Sequence, residues 1–198
     1  CNCIFPSQWA WLNQNIGLFE TGEFSHKLWF TVGLHPHAVA EWSPDAEALL
    51  RQFAVHSRCV GIGECGLDAA KHSSEEVDQQ VPVFEAQCRL AVELGKPLVV
   101  HIRQAEDRSL PILLTLMPRN HHIHMHCYSG SIAVAKQLAA EFANMWFGVV
   151  GNITYPEAAD GNAVELARTL PLDRLLLETD GPYMAPVPFR GQTGHSGM

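Results

Sequence analysis

The sequence predicts an α/β fold, a (βα)8 TIM-type barrel with about seven of its eight strands present. Three observations lead there. Short apolar runs alternate with segments of helical periodicity along the whole chain. One strand-and-helix unit recurs about every 25 to 37 residues, as crossover connections between parallel strands require. Several of the apolar runs stop at a His or a carboxylate, and the carboxyl ends of parallel strands are where barrels hold their chemistry.

Taken in order, Cys1 to Phe5 supplies a short first strand, and Leu28-Trp29-Phe30-Thr31-Val32-Gly33 a second that enters the loop Leu34-His35-Pro36-His37. Ser43 is a natural N-cap with Pro44 at the first helical position, so a helix runs from there to about His56, with Ala48, Leu49, Gln52 and Phe53 on one face. Cys59 to Gly63 is the next strand, halting at Glu64 among glycines. Val77, Val81, Phe84, Cys88, Ala91 and Val92 recur every three or four residues, which predicts a long helix from Glu75 to Leu94 closed by Gly95. Pro97 to Ile102 is a continuous apolar run, as strands buried on both faces are, followed by a helix from Glu106 to Met117. The remaining units are strand His122 to Cys127 with helix Ser131 to Phe142, strand Met145 to Gly151 with helix Gly161 to Leu170, and a last strand from Arg174 to Asp180. Trp9, Trp11 and Trp42 read as burial residues.

The 198 residues are 47% hydrophobic and 17% charged, which suits one substantial core and a single domain spanning 1–198. A closed eight-unit barrel needs about 250 residues, and the chain neither begins with Met nor ends in a helix, so it reads as a domain truncated at both ends. A formal net charge of -8 argues against binding nucleic acid through a blanket of positive charge. No apolar run reaches about 18 residues and no signal-like start is visible, so no membrane association is expected. The six cysteines lack a framework spacing, which points to a reducing compartment, cytoplasmic or nuclear; Cys1-Asn2-Cys3 reads as small buried residues on a strand.

Four strand ends carry a candidate metal ligand: Glu64, His101, His126 and Asp180. Side chains alternate along a strand, so Val99 and His101 face the barrel interior while Val100 and Ile102 face the helices. Imidazoles and carboxylates converging from separate strands are what a divalent cation in a hydrolytic site requires.

Five blocks then carry a resemblance. Gly33-Leu34-His35-Pro36-His37, Gly61-Ile62-Gly63-Glu64-Cys65-Gly66-Leu67-Asp68, His101-Ile102-Arg103-Gln104-Ala105, His126-Cys127-Tyr128-Ser129-Gly130-Ser131 and Leu177-Glu178-Thr179-Asp180-Gly181-Pro182-Tyr183 resemble, in order and spacing, the TatD family of metal-dependent deoxyribonucleases. Cys1-Asn2-Cys3 is similar to a segment of its animal branch. The resemblance implies a barrel of the metal-dependent hydrolase kind and hydrolysis of phosphodiesters in DNA, with RNA as a second substrate, exonucleolytically and with two divalent ions. Mg²⁺ or Mn²⁺ are the expected ions, with Zn²⁺ as the alternative. It further implies that Glu64 bridges the two ions, that His101 and His126 bind the second, and that Asp180 binds the first and orients the attacking water. The family's first-strand His-X-His pair has no counterpart before Cys1, and His35 and His37 match a different block. The chain is thus expected to be either a fragment or a shortened relative with a damaged first site.

Arg103 shares the parity of His101 and is expected to clamp a phosphate, or else to pair with Glu106 or Asp107. His35, His37, Tyr128, Ser129, Tyr183 and Arg190 complete the expected substrate contacts, Tyr by stacking and Ser129 and Arg190 through phosphate, with packing of the rim as the equal alternative for Tyr128, Ser129 and Tyr183. His124 and Glu178 lie one layer below His126 and Asp180, and an inward Glu178 needs a partner such as His124. Two rival readings stay open: a metal-dependent hydrolase of another ester or amide, and a weakly active or non-catalytic relative.

Overall fold

A computed structural model describes all residues of the chain except Gly22, Phe24, Lys71, Ala159 and Asp160. Seven strands form one parallel sheet in strict chain order: β1 (Asn2–Cys3), β2 (Phe30–Val32), β3 (Cys59–Asp68), β4 (Leu98–Arg103), β5 (Ile123–Met125), β6 (Met145–Val149) and β7 (Leu175–Leu177). β1 and β7 do not pair with each other, so the barrel is open along that side. The helices are α1 (Pro6–Asn15), α2 (Gly17–Glu20), α3 (Pro44–Ala54), α4 (Ser74–Leu94), α5 (Glu106–Leu116), α6 (Ile132–Glu141) and α7 (Asn162–Thr169). No helix among the described residues is long and apolar enough to cross a membrane.

Strand parity comes out as expected on β4: Val100 and Ile102 belong to the apolar core between sheet and helices, while Val99 and His101 lie on the opposite face. Most strands are shorter than their apolar runs. Leu28 and Trp29 lie outside β2, and β7 ends at Leu177, three residues before Asp180. β3 departs the other way. It continues through Glu64 to Asp68, so Glu64 sits mid-strand and not at the strand's end.

The cause is a bulge. Ile62 pairs with Leu98 but Cys65 with Val100, so β3 carries one extra residue there and its alternation is reset. Gly63 has φ +129°, and a Cβ on it would meet the Val99 carbonyl oxygen at 2.1 Å. Gly66, at φ +149°, would meet the His101 carbonyl oxygen at 1.8 Å. Only glycine fits either place, which explains the two glycines that bracket Glu64-Cys65.

The longest helix, α4, starts at a capping box in which Ser73 Oγ accepts from the Glu76 N–H and Glu76 Oε2 accepts from the Ser73 N–H, and it ends at Gly95 in the left-handed region. Hydrophobic spacing misses its two buried amides. Gln80 both accepts from the N–H and donates to the carbonyl of Asp68, and Gln87 does the same with Leu34. Two turns apart on one helix face, they pair with backbone that no neighbouring strand serves, and they fix the ends of β3 and of the loop that carries His35 and His37. On α3 the buried face is Leu50, Phe53 and Ala54, while Ala48 and Gln52 are exposed.

The segment between the first two strands holds a helix that the pattern did not announce. α1 buries Trp9, whose indole N–H donates to the Cys3 carbonyl at 2.9 Å, whereas Trp11 is largely exposed and Trp42 half-buried. Cys3 is buried but Cys1 is exposed, so only one of that pair is a core residue.

Candidate metal centre

Glu64, 6% exposed, is the centre of the site. On one side its Oε2 lies 3.4 Å from His126 Nε2, and that nitrogen lies 3.4 Å from Asp180 Oδ1. On the other side, donor atoms of His35, Glu64 and His101 fall within 4.8 Å of one another. The four side chains drawn from β3, β4 and the segments after β5 and β7 therefore share one pocket.

His126 follows β5, where its N–H donates to the Val100 carbonyl at 2.9 Å. Its Nδ1 lies 3.1 Å from Glu178 Oε1, so Nδ1–H donates there and Nε2 is the nitrogen that faces Glu64 and Asp180. Glu178 points inward, as expected. It pairs with both His124 and His126, and its Oε2 accepts from the Cys127 N–H at 2.8 Å. Burial raises the Glu178 carboxyl, but hydrogen bonds with the two imidazoles outweigh it and hold the group at about 2. Burial likewise opposes charge on His126, and the surrounding carboxylates of Asp180, Glu178 and Glu64 prevail and raise it to about 10. Burial raises Glu64 above the usual carboxylate range. Carboxylates crowded in a dry pocket, drawing a proton onto the central imidazole, form a site that favours a cation.

The donor set fits a divalent ion. Imidazole nitrogen and carboxylate oxygen are borderline and hard ligands, and the 3.4 Å gaps are longer than hydrogen bonds between such atoms.

A second layer surrounds His101. The Asp68 carboxylate, 1% exposed, lies 3.2 Å from His101 Nε2 and 2.9 Å from His37 Nε2, and accepts from the Ala70 N–H. Burial raises its carboxyl, and those hydrogen bonds more than reverse the effect, so it stays well below its ordinary value. His35 Nδ1 accepts from the His37 N–H at 3.2 Å, and burial with neighbouring imidazoles lowers its pKa to about 3, so it is a neutral ring beside His101. His37 therefore joins the site through Asp68 and through His35.

The remaining expected contacts divide. Arg103 and Tyr183 are exposed at the rim, and Arg103 makes no ion pair among the described residues. Ser129 is exposed as well, its carbonyl accepting from Asn162. Tyr128 is not available for stacking: its ring is buried edge-on against Phe147 and its hydroxyl donates to the Ser131 carbonyl. Arg190 is not free either, since its guanidinium pairs with Glu157 and lies 4.1 Å over the Tyr155 ring. Both placements follow from local packing that a motif match cannot reveal.

Sequence reasoning missed two polar partners. Asp68 was visible as the last residue of the block that contains Glu64, where a carboxylate ending a buried run needs cationic or N–H partners. Asn2, read only as part of a small-residue strand, donates from Nδ2 to Glu64 Oε1 at 2.6 Å.

Comparison with known proteins identifies the family. The family model described as TatD related DNase matches residues 8–198. A human protein named 3'-5' RNA nuclease TATDN2 is 40% identical over 159 residues, 80% of this chain and 21% of that protein. An Erwinia amylovora protein named 3'-5' ssDNA/RNA exonuclease TatD is 40% identical over 162 residues, 82% of this chain and 61% of its own length. The crystal structure of YJJV, a TatD homolog from Escherichia coli, superposes with a TM-score of 0.80 at 28% identity, covering 97% of this chain and 70% of that one. An Entamoeba histolytica TatD family hydrolase, 20% identical with a TM-score of 0.76, shares the fold. The chain thus spans about three fifths of its bacterial relative. With this match over nearly its whole length, the chain belongs to the TatD related DNase family.

Proposed function

We propose that this chain is the metal-holding portion of an intracellular 3′–5′ exonuclease that hydrolyses phosphodiester bonds in single-stranded DNA and RNA. Residues 1–198 act in this reading as one hydrolase domain. The observation that carries it is the convergence of His101, His126 and Asp180 around the buried Glu64.

Glu64, His101, His126 and Asp180 would hold the divalent ions, Mg²⁺ or Mn²⁺ in preference to Zn²⁺ because carboxylate oxygens are half of the set. When bound, such ions lower the pKa of water and offset the charge that develops on a phosphoryl group. The protein's own groups do the rest. Asp180, 30% exposed, reaches the pocket from the solvent side and is placed to accept a proton from the attacking water. His35, neutral and buried, presents its free Nε2–H to a phosphoryl oxygen, and Arg103 supplies an unpaired guanidinium for the next phosphate. Ser129 and Tyr183 line the approach, Tyr183 with an exposed ring suited to stacking on a base.

The test is incubation of the chain with 5′-labelled single-stranded DNA and RNA in Mn²⁺ or Mg²⁺. Stepwise shortening from the 3′ end is expected, and Glu64→Ala should reduce its rate by at least about a hundredfold. Digestion that survives Glu64→Ala, or that proceeds equally in EDTA, would overturn the reading.

A further inference from the structure

The side chain of Asn2 joins Glu64 to the first strand. Asn2 Nδ2 donates to Glu64 Oε1 at 2.6 Å, and Asn2 Oδ1 accepts from Thr31 Oγ1 at 2.8 Å. An ionised carboxylate only accepts, so the amide must turn its NH₂ group to Glu64, and the Thr31 hydroxyl locks that orientation from the far side. Thr31 and Asn2 are themselves a directly paired position of β1 and β2, so backbone pairing sets their separation. A three-residue polar chain thus crosses three adjacent strands and stops on one oxygen of the central carboxylate.

The other oxygen is the one that faces the pocket. Glu64 Oε2 lies toward His126 Nε2, and because the two oxygens of a carboxylate turn as one planar group, anchoring Oε1 also sets where Oε2 points. We propose that Asn2, held by Thr31, is a positioning residue for Glu64: it fixes the carboxylate so that Oε2 is presented to the cation held with His126 and Asp180. This rests on the metal-binding reading given above. Glu64 enters the pocket at a bulge flanked by two glycines, where the backbone alone restrains it less than a regular strand would. From β1, beyond β2 in the sheet, the asparagine supplies the orientation that the bulge relaxes.

The experiment is calorimetric titration of the whole chain with Mn²⁺ in the absence of nucleic acid, comparing wild type, Asn2→Ala, Thr31→Val and Glu64→Ala, with melting temperatures taken in EDTA. Asn2→Ala is expected to weaken Mn²⁺ binding about 10- to 100-fold, as loss of a partner behind a metal ligand does, and Thr31→Val by a smaller factor in the same direction. Melting in EDTA should change little, because Asn2 is exposed and fills no core space. Wild-type affinity in Asn2→Ala while Glu64→Ala loses binding would overturn the positioning role and leave the metal centre intact. A loss of affinity in Asn2→Ala that tracks a fall in EDTA melting temperature would overturn it too, by showing a merely structural role. Binding that Glu64→Ala does not disturb, or no binding by wild type, would overturn the metal centre and the inference together.

Discussion

Glu178 makes three contacts at the base of the pocket, to His124, to His126 and to the Cys127 N–H, and none of them is with substrate-facing space. Its work is to keep the His126 proton on Nδ1. Replacing it by Gln leaves a neutral amide that can offer an N–H to the same nitrogen, which would favour the wrong tautomer. Glu178→Gln is therefore expected to weaken Mn²⁺ binding by about 10- to 100-fold, measured by calorimetry, and to move the His126 ring signals in a nitrogen-15 NMR spectrum of the metal-free protein, taken above about pH 10 where the ring is neutral, from the Nδ1–H to the Nε2–H pattern. An unchanged spectrum would sink the tautomer argument. Cys127 sits beside the same carboxylates, and burial together with Asp180 and Glu178 raises its thiol to about 12, so it contributes a backbone donor and no thiolate.

At the scale of elements, the site is aimed by α4 as much as by the strands. The Gln87 amide closes a two-bond ring with Leu34, the residue before His35, and Gln80 does so with Asp68. Gln87→Ala removes both bonds and leaves a buried N–H and carbonyl of Leu34 without partners. The expected cost is roughly 2–6 kcal/mol in urea unfolding, about 1–3 kcal/mol for each of the two unsatisfied polar groups. Because Leu34 leads directly into the His35 N-cap, the same variant should also broaden the His35 and His37 resonances. A variant as stable as wild type would show that water replaces the amide.

At the scale of the molecule, the buried charges give a definite pH profile in EDTA. The Glu178 carboxyl lies at about 2 against an ordinary 4.5, so its stabilisation is present above about 4.5 and is lost as pH falls toward 2. His126 lies at about 10 against 6.5, so the contribution of its charged form is full below about 6.5 and fades as pH rises toward 10. The two shifts share the His126–Glu178 contact, with His124 adding to the first and Asp180 and Glu64 to the second, so the imidazole–carboxylate cluster is most stabilising between those limits. Glu64 runs the other way: burial raises its carboxyl, so ionising it costs the folded protein as pH rises above 4.5. A divalent cation answers that cost and replaces the His126 proton. Mn²⁺ should therefore raise the melting temperature more at pH 8 than at pH 5, by several degrees at saturating metal. A metal-induced shift that does not grow with pH would contradict the assignment of Glu64 and His126 as ligands.

By itself the sequence determined the unit: strands alternating with helices, the caps of α3 and α4, and four candidate ligands in or just after β3, β4, β5 and β7. These are legible because apolar periodicity, capping residues and strand parity are local, and a ligand at the end of an apolar run keeps its place in the repeat whatever surrounds it. Tertiary structure decided which groups were free to act. Tyr128 and Arg190 match or neighbour site blocks, yet one is packed against Phe147 and the other paired with Glu157, from segments 19 and 33 residues away. Asn2, 62 positions before Glu64, became its anchor, and Gln80 and Gln87 became backbone partners inside an amphipathic helix. The bulge in β3 moved Glu64 from a strand end to its middle without changing where its side chain goes. Such outcomes depend on hydrogen bonds between residues distant in the chain, and the direction and satisfaction of a hydrogen bond are settled only when the folded chain brings its donor and acceptor together.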